Sequence, residues 1–181
     1  FRTLGVVGDS LSSGEFEALT ADGVRSWHDK FEYSWGQFIA RRCGLKAFNF
    51  SRGGMTAKEF NASFGTACGF DKPENVCQAY IIALGVNDVL NTGLPVGSLD
   101  DIDFENYENN KPTFAGEYAK ILQKIKKMQP KARIFLMSMP NDECRGNQNR
   151  LDTIAAHRDL LVSLAEKFEF TYVLDFLKYA P

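Results

Sequence analysis

Five short runs of strand-forming residues, Thr3 to Val7, Ala47 to Phe50, Ala79 to Leu84, Ala132 to Met137 and Phe170 to Leu174, alternate along this chain with segments of helical period. Four of the five are apolar at consecutive or nearly consecutive positions, the pattern of strands buried on both faces. Between the second run and the first, Ser34 reads as the N-cap of a helix ending near Arg42, with Gly44 as its stop. From about Thr113 to Met128, residues Ile121, Leu122, Ile125 and Met128 share one face and Pro130 follows, which predicts an amphipathic helix. A further helix is predicted from about Asn149 to Phe168, with Leu151, Ile154, Ala155, Leu161 and Leu164 facing inward. This alternation predicts an α/β sandwich of three layers, a parallel sheet with helices on both faces and right-handed crossovers. Two excursions, about Ser12 to Tyr33 and about Val89 to Pro112, read as long irregular loops, which in a compact domain shape a binding site or stay disordered.

Composition narrows the picture without deciding it. A chain of 181 residues suits one domain, 1–181, and no repeat or Pro/Gly-rich linker divides it. The net charge of −2 gives no electrostatic basis for binding nucleic acid. The acidic run Asp100, Asp101, Asp103, Glu105 and Glu108 and the basic set Lys120, Lys124, Lys126, Lys127, Lys131 and Arg133 read as solvated surface. No apolar stretch approaches the ~18 residues of a membrane span, and no leader is visible. The expected compartment is the cytoplasm, or the exterior if an upstream signal peptide has been removed. Cys43, Cys68, Cys77 and Cys144 form no CxxC pair and have no histidine at ligand spacing, so they read as free thiols. No metal or organic cofactor is implied, and the HExxH and GxSxG motifs are absent. Oligomeric state is not legible.

Candidate chemistry gathers at three strand ends. Gly8-Asp9-Ser10 follows the first strand, Ser51-Arg52-Gly53-Gly54 the second, and Gly85-Val86-Asn87-Asp88 the third. In a parallel sheet these carboxyl ends share one edge, where ligands bind. Acyl transfer needs a hydroxyl nucleophile and preorganised N–H donors for the oxygen that becomes negative in the tetrahedral intermediate. Ser10 supplies the hydroxyl and a backbone N–H, a glycine allows close backbone approach, and Asn87 adds amide donors without charge.

These clusters resemble the first three sequence blocks of the SGNH (GDSL-type) hydrolases: Gly8-Asp9-Ser10-Leu11, Asn49-Phe50-Ser51-Arg52-Gly53-Gly54 and Gly85-Val86-Asn87-Asp88. The resemblance implies a flavodoxin-like sheet of strand order 2-1-3-4-5. It makes Ser10 the nucleophile, and Ser10, Gly54 and Asn87 the oxyanion donors, with Gly53 as an alternative to Gly54. The family's fourth block, Asp-x-x-His, is not found here, so the chain is expected to lack a C-terminal loop and last helix, with base and orienting acid beyond Pro181.

The remaining candidates divide between chemistry and support. Asp9 reads as bracing the turn that presents Ser10, and Asp88 as bracing the loop of Asn87. Asp175, at the end of the fifth strand, reads as a turn or capping residue. His28 lies after the nucleophile as a solvent-facing loop histidine or a substitute base, while His157 reads as helix surface or packing, away from any strand's carboxyl end. Trp27, Tyr33 and Trp35 are candidate pocket aromatics, with His28 as a further pocket candidate. The expectation is a serine esterase or acylhydrolase cleaving an ester, such as an O-acetyl group on a carbohydrate or a short acyl ester. A non-catalytic glycan-binding module, or a phosphate-binding one using Ser10-Leu11-Ser12-Ser13-Gly14, is the alternative.

Overall fold

In the computed structural model, which describes residues 1–141 and 147–179, strands form at β1 (Thr3–Gly8), β2 (Glu15–Leu19), β3 (Arg25–Asp29), β4 (Lys46–Ser51), β5 (Ala79–Ala83), β6 (Arg133–Met137) and β7 (Thr171–Leu174). The helices are α1 (Ser10–Ser13), α2 (Trp35–Cys43), α3 (Ala57–Glu59), α4 (Gly65–Ala67), α5 (Phe114–Met128), α6 (Gln148–Lys167) and α7 (Phe176–Tyr179). Five strands make one parallel sheet in the order β4-β1-β5-β6-β7. Counted without the separate β2–β3 pair, that order is 2-1-3-4-5. β1 lies between two neighbours, and its Leu4, Val6 and Val7 are buried, which explains its unbroken apolar run.

The two faces of the sheet are covered unequally. On one, α5 and α6 pack Tyr118, Ile121, Leu122, Ile125, Ile154, Leu161 and Leu164 against Val7, Phe50, Ile82 and Leu136. On the other, α2 brings Trp35 and Ile39 to Leu4, Val6 and Ile81. The predicted caps are present: the Ser34 hydroxyl accepts from Gln37 N at 3.2 Å, and Gly44 closes α2 at φ 65°. Thr113 accepts from Gly116 N at 3.3 Å at the start of α5. No helix among the described residues is long and apolar enough to cross a membrane.

Several expectations need correction. The stretch from Ser12 to Tyr33 is no irregular loop; β2 and β3 pair antiparallel across it. Both strands are largely exposed, so no inward-facing apolar alternation marks them, although Asp22-Gly23 is the turn chemistry of a hairpin. Helical turns between Ala57 and Ala67, including a π-type turn at Phe60–Phe64, were not expected from the pattern. Strand β7 begins after Phe170, whose φ of 55° takes it out of extended geometry. Cys43, Cys68 and Cys77 are free thiols, and Cys144 lies outside the described residues.

Gly5 sits in the middle of β1, where a Cβ would come within 2.6 Å of the Tyr80 ring. The ring cannot easily yield, because the Tyr80 hydroxyl accepts from Cys77 N at 2.8 Å. Gly5→Ala is therefore expected to lower the unfolding free energy by about 1–3 kcal/mol, read as a lower urea midpoint. An unchanged midpoint would contradict this packing.

Candidate active site

Parallel register sets the site. Gly8 pairs with Ser51 on one side and with Ala83 on the other, so the chain leaves all three strands at one edge. Neighbouring strands are about 4.8 Å apart, which puts the three exits within roughly 10 Å. Beyond the ladder, Arg52 N donates to Gly8 O at 3.3 Å.

Ser10 begins the one-turn helix α1, capped by Asp9, whose side chain accepts from Leu11 N at 3.1 Å and whose carbonyl accepts from Ser12 and Ser13 N. Close packing of Ser12 against Gly8, where a Cβ would collide with its hydroxyl, folds the turn back on the strand. Ser10 itself stays half-buried, and its N–H, first in the helix, has no partner among the described residues. After β4, Met55 N donates to Arg52 O at 3.2 Å, closing a four-residue turn whose third residue, Gly54, has φ 72°. Such a turn favours glycine there. The Gly53 N–H is bound by Asp29 at 3.2 Å, whereas the Gly54 N–H has no partner among the described residues and its Cα faces open space. Gly54, not Gly53, keeps a free donor.

Asn87 joins this turn directly. Its Nδ2 donates to the carbonyl of Met55 at 3.1 Å, and its Oδ1 accepts from Asn91 Nδ2 at 2.8 Å, which fixes the amide's orientation. One N–H of that amide has no acceptor among the described residues. Asp88 is fully buried and reaches across to accept from Ala57 N at 2.9 Å, so it ties the Asn87 loop to the helix start beyond Gly54.

The edge rests on buried titratable groups. Desolvation pushes the Asp88 carboxyl up to about 6, with the Asp9 charge adding to the rise, and its Oδ2 has no partner among the described residues. Desolvation raises Asp9 as well. His157 is neither at the surface nor remote from a strand end: it is fully buried, with Nε2 bonded to Leu84 O at 3.1 Å, directly after β5. Its helical position hid this, since the pattern shows a face and not the strand end that the face covers. Gly85, at φ 140°, leaves no room for a Cβ, which would come within 2.5 Å of His157 Nε2. Burial lowers the imidazole to about 4.

Other candidates lie further out. His28 is exposed on β3 rather than in a loop, sharing a 3.0 Å hydrogen bond with Ser26 and lying against the Phe16 ring in a tilted arrangement. Trp27 and Tyr33 are exposed, while Trp35 packs under the sheet and lines a small cleft beside the nucleophile turn with Asp9, Leu11, Ser12, Val86 and Met139. Asp175 caps α7 through Lys178 N at 3.1 Å and pairs with Arg158 at 2.7 Å, which holds its carboxyl below the usual range. Asp29 was not singled out from sequence; the Asp-Gly hairpin signal would have placed it opposite Glu15 at the hairpin's base.

A family model for the GDSL-like lipase/acylhydrolase family matches residues 6–180. The chain belongs to that family. No curated protein sequence matches the chain significantly. Among solved structures, a possible lipase from Chitinophaga pinensis is similar over 98% of this chain and 68% of its own, with TM-score 0.64 and 20% identity. A family 2 carbohydrate esterase with a carbohydrate-binding domain from Corynascus thermopiles (Myceliophthora fergusii) gives 0.66 and 16%, over 96% of this chain and 56% of its own. A family 2 carbohydrate esterase from Clostridium thermocellum, in complex with cellohexaose, gives 0.62 and 16%, over 97% and 54%. At these identities the likeness carries the fold, and the family match carries ester hydrolysis in general terms.

Asp88 binds a proton in the folded protein up to about pH 6, while an ordinary aspartate releases it near 3.8. Its contribution to stability therefore grows as pH falls through that window, and is lost as pH rises. His157 works oppositely, losing stability as pH falls from 6.5 toward 4. Asp88→Asn, always neutral and still offering an oxygen to Ala57 N, is expected to gain on the wild type between pH 4 and pH 8 by up to about 3 kcal/mol. Urea denaturation at both pH values checks this, and a pH-independent difference contradicts it.

Proposed function

We propose that this chain is a serine esterase, in which Ser10 attacks an ester carbonyl and an acyl-serine forms as the bond to the alcohol breaks. Water then releases the acid. The observation that supports this reading is the hydrogen bond from Asn87 Nδ2 to the Met55 carbonyl, which ties the Asn87 side chain to the turn that carries Gly54. With the Ser10 N–H, the Gly54 N–H and the Asn87 amide would make a three-donor oxyanion hole. Ser10 must lose its proton as it attacks. His28 is engaged with Ser26 and His157 is buried on Leu84 O, so the reading assigns that base to neither.

The phosphate-binding alternative is disfavoured by the same turn. Asp9 already takes the N–H groups of Leu11, Ser12 and Ser13, and a carboxylate there repels an anion. For the alcohol part of the ester we favour a carbohydrate. Trp27 is 59% exposed, and strand alternation puts it on the same hairpin face as Asp29, which touches Gly53. Beside it, Arg25 and Glu17 form an ion pair at 3.3 Å. An open indole flanked by charged hydrogen-bonding groups suits a sugar ring, which has both apolar and hydroxyl edges.

With full-length protein, Ser10→Ala is expected to reduce hydrolysis of para-nitrophenyl acetate to background, and retained activity would reject the mechanism. Asn87→Ala is expected to cost about 3 kcal/mol of barrier, roughly 100-fold in kcat. For an acetylated xylo-oligosaccharide, Trp27→Ala should raise KM about tenfold, and an unchanged KM removes Trp27 from the alcohol subsite.

A further inference from the structure

We propose that Asp29 is a positioning residue that clamps the nucleophile helix to the oxyanion turn. The inference rests on the esterase reading above and concerns how its donors are held. Asp29 is the last residue of β3, and both its carboxylate oxygens accept from Gly53 N–H at 3.2 Å. Its Oδ1 also accepts from the Ser13 hydroxyl. Ser13 is buried at the end of α1, the helix that Ser10 begins. One carboxylate thus joins the segments that carry two of the three proposed donors.

The surroundings leave the clamp little freedom. Lys30 N donates to Gly14 O at 3.1 Å, rooting the hairpin at the end of α1. Opposite Asp29 in the register, Glu15 packs on Gly53 so closely that a Cβ there would collide with its carboxylate. Fixing the Gly53 N–H fixes the preceding peptide plane, and Gly54 is one residue further along a turn already closed at Arg52 and Met55. A donor displaced by even a fraction of an ångström loses transition-state stabilisation while ground-state binding is barely affected. A negative charge near the hole would by itself oppose an oxyanion, so the benefit must come from its hydrogen bonds, which a carboxamide can imitate. The Oδ1 of an asparagine can accept from Gly53 N–H, and its amide can donate to the Ser13 oxygen.

The test compares Asp29→Ala and Asp29→Asn in full-length protein with two readouts, steady-state hydrolysis of para-nitrophenyl acetate and amide hydrogen exchange at Gly53. Asp29→Ala is expected to lower kcat about tenfold or more, with KM within about twofold, and to speed exchange at Gly53. Asp29→Asn is expected to restore most of kcat and of the protection. A rise in KM with kcat intact, a kcat loss without faster exchange, or an asparagine variant as impaired as the alanine one would each overturn the proposal. If the wild type hydrolyses no ester, the proposed function fails on its own. The exchange arm then decides the clamp alone: faster exchange in Asp29→Ala supports it, and unchanged exchange overturns it.

Discussion

The register of β1 between β4 and β5 is the constraint on which everything else depends. Gly8 stands level with Ser51 and Ala83, so three loops separated by tens of residues in sequence begin side by side. A one-residue slip in a strand turns every side chain to the opposite face. Here it would also shift Gly54 or Asn87 along the edge relative to Ser10. The apolar runs that bury both faces of the sheet therefore determine the geometry of polar groups that never enter the core.

What the strands bring near, hydrogen bonds between loops make specific. Asn87 binds the Met55 carbonyl, Asp88 binds Ala57 N, and Asp29 binds both Gly53 and Ser13. Two of these three links end on backbone groups alone, and such links position main chain without demanding a side chain at the far end. They also explain why ionisable groups lie buried beneath the edge. Asp88 and His157 are both shifted toward their neutral forms by desolvation, one raised and one lowered.

The layer architecture, the sheet strands and the caps at Ser34 and Gly44 were legible in the sequence because each has a local signature: an apolar run, a hydroxyl before a helix, a glycine after one. The three strand-end clusters were legible for the same reason, aided by their family resemblance. The hairpin was not, since neither of its faces is buried enough to impose an apolar alternation. His157 was misplaced because helical periodicity says which face is inward and nothing about the strand end that face meets. Asp29 was missed because its partners, Gly53 and Ser13, are close only after the hairpin has folded back.

The central claim is that Ser10, Gly54 and Asn87 surround a single reacting carbonyl. The most direct measurement is a crystal structure of full-length protein after reaction with a fluorophosphonate, which forms a tetrahedral adduct on an activated serine. The account predicts phosphorus bonded to Ser10 Oγ, with the phosphoryl oxygen about 3 Å from the N–H groups of Ser10 and Gly54 and from Asn87 Nδ2. An adduct on another residue, or a phosphoryl oxygen turned away from those three donors, would contradict it.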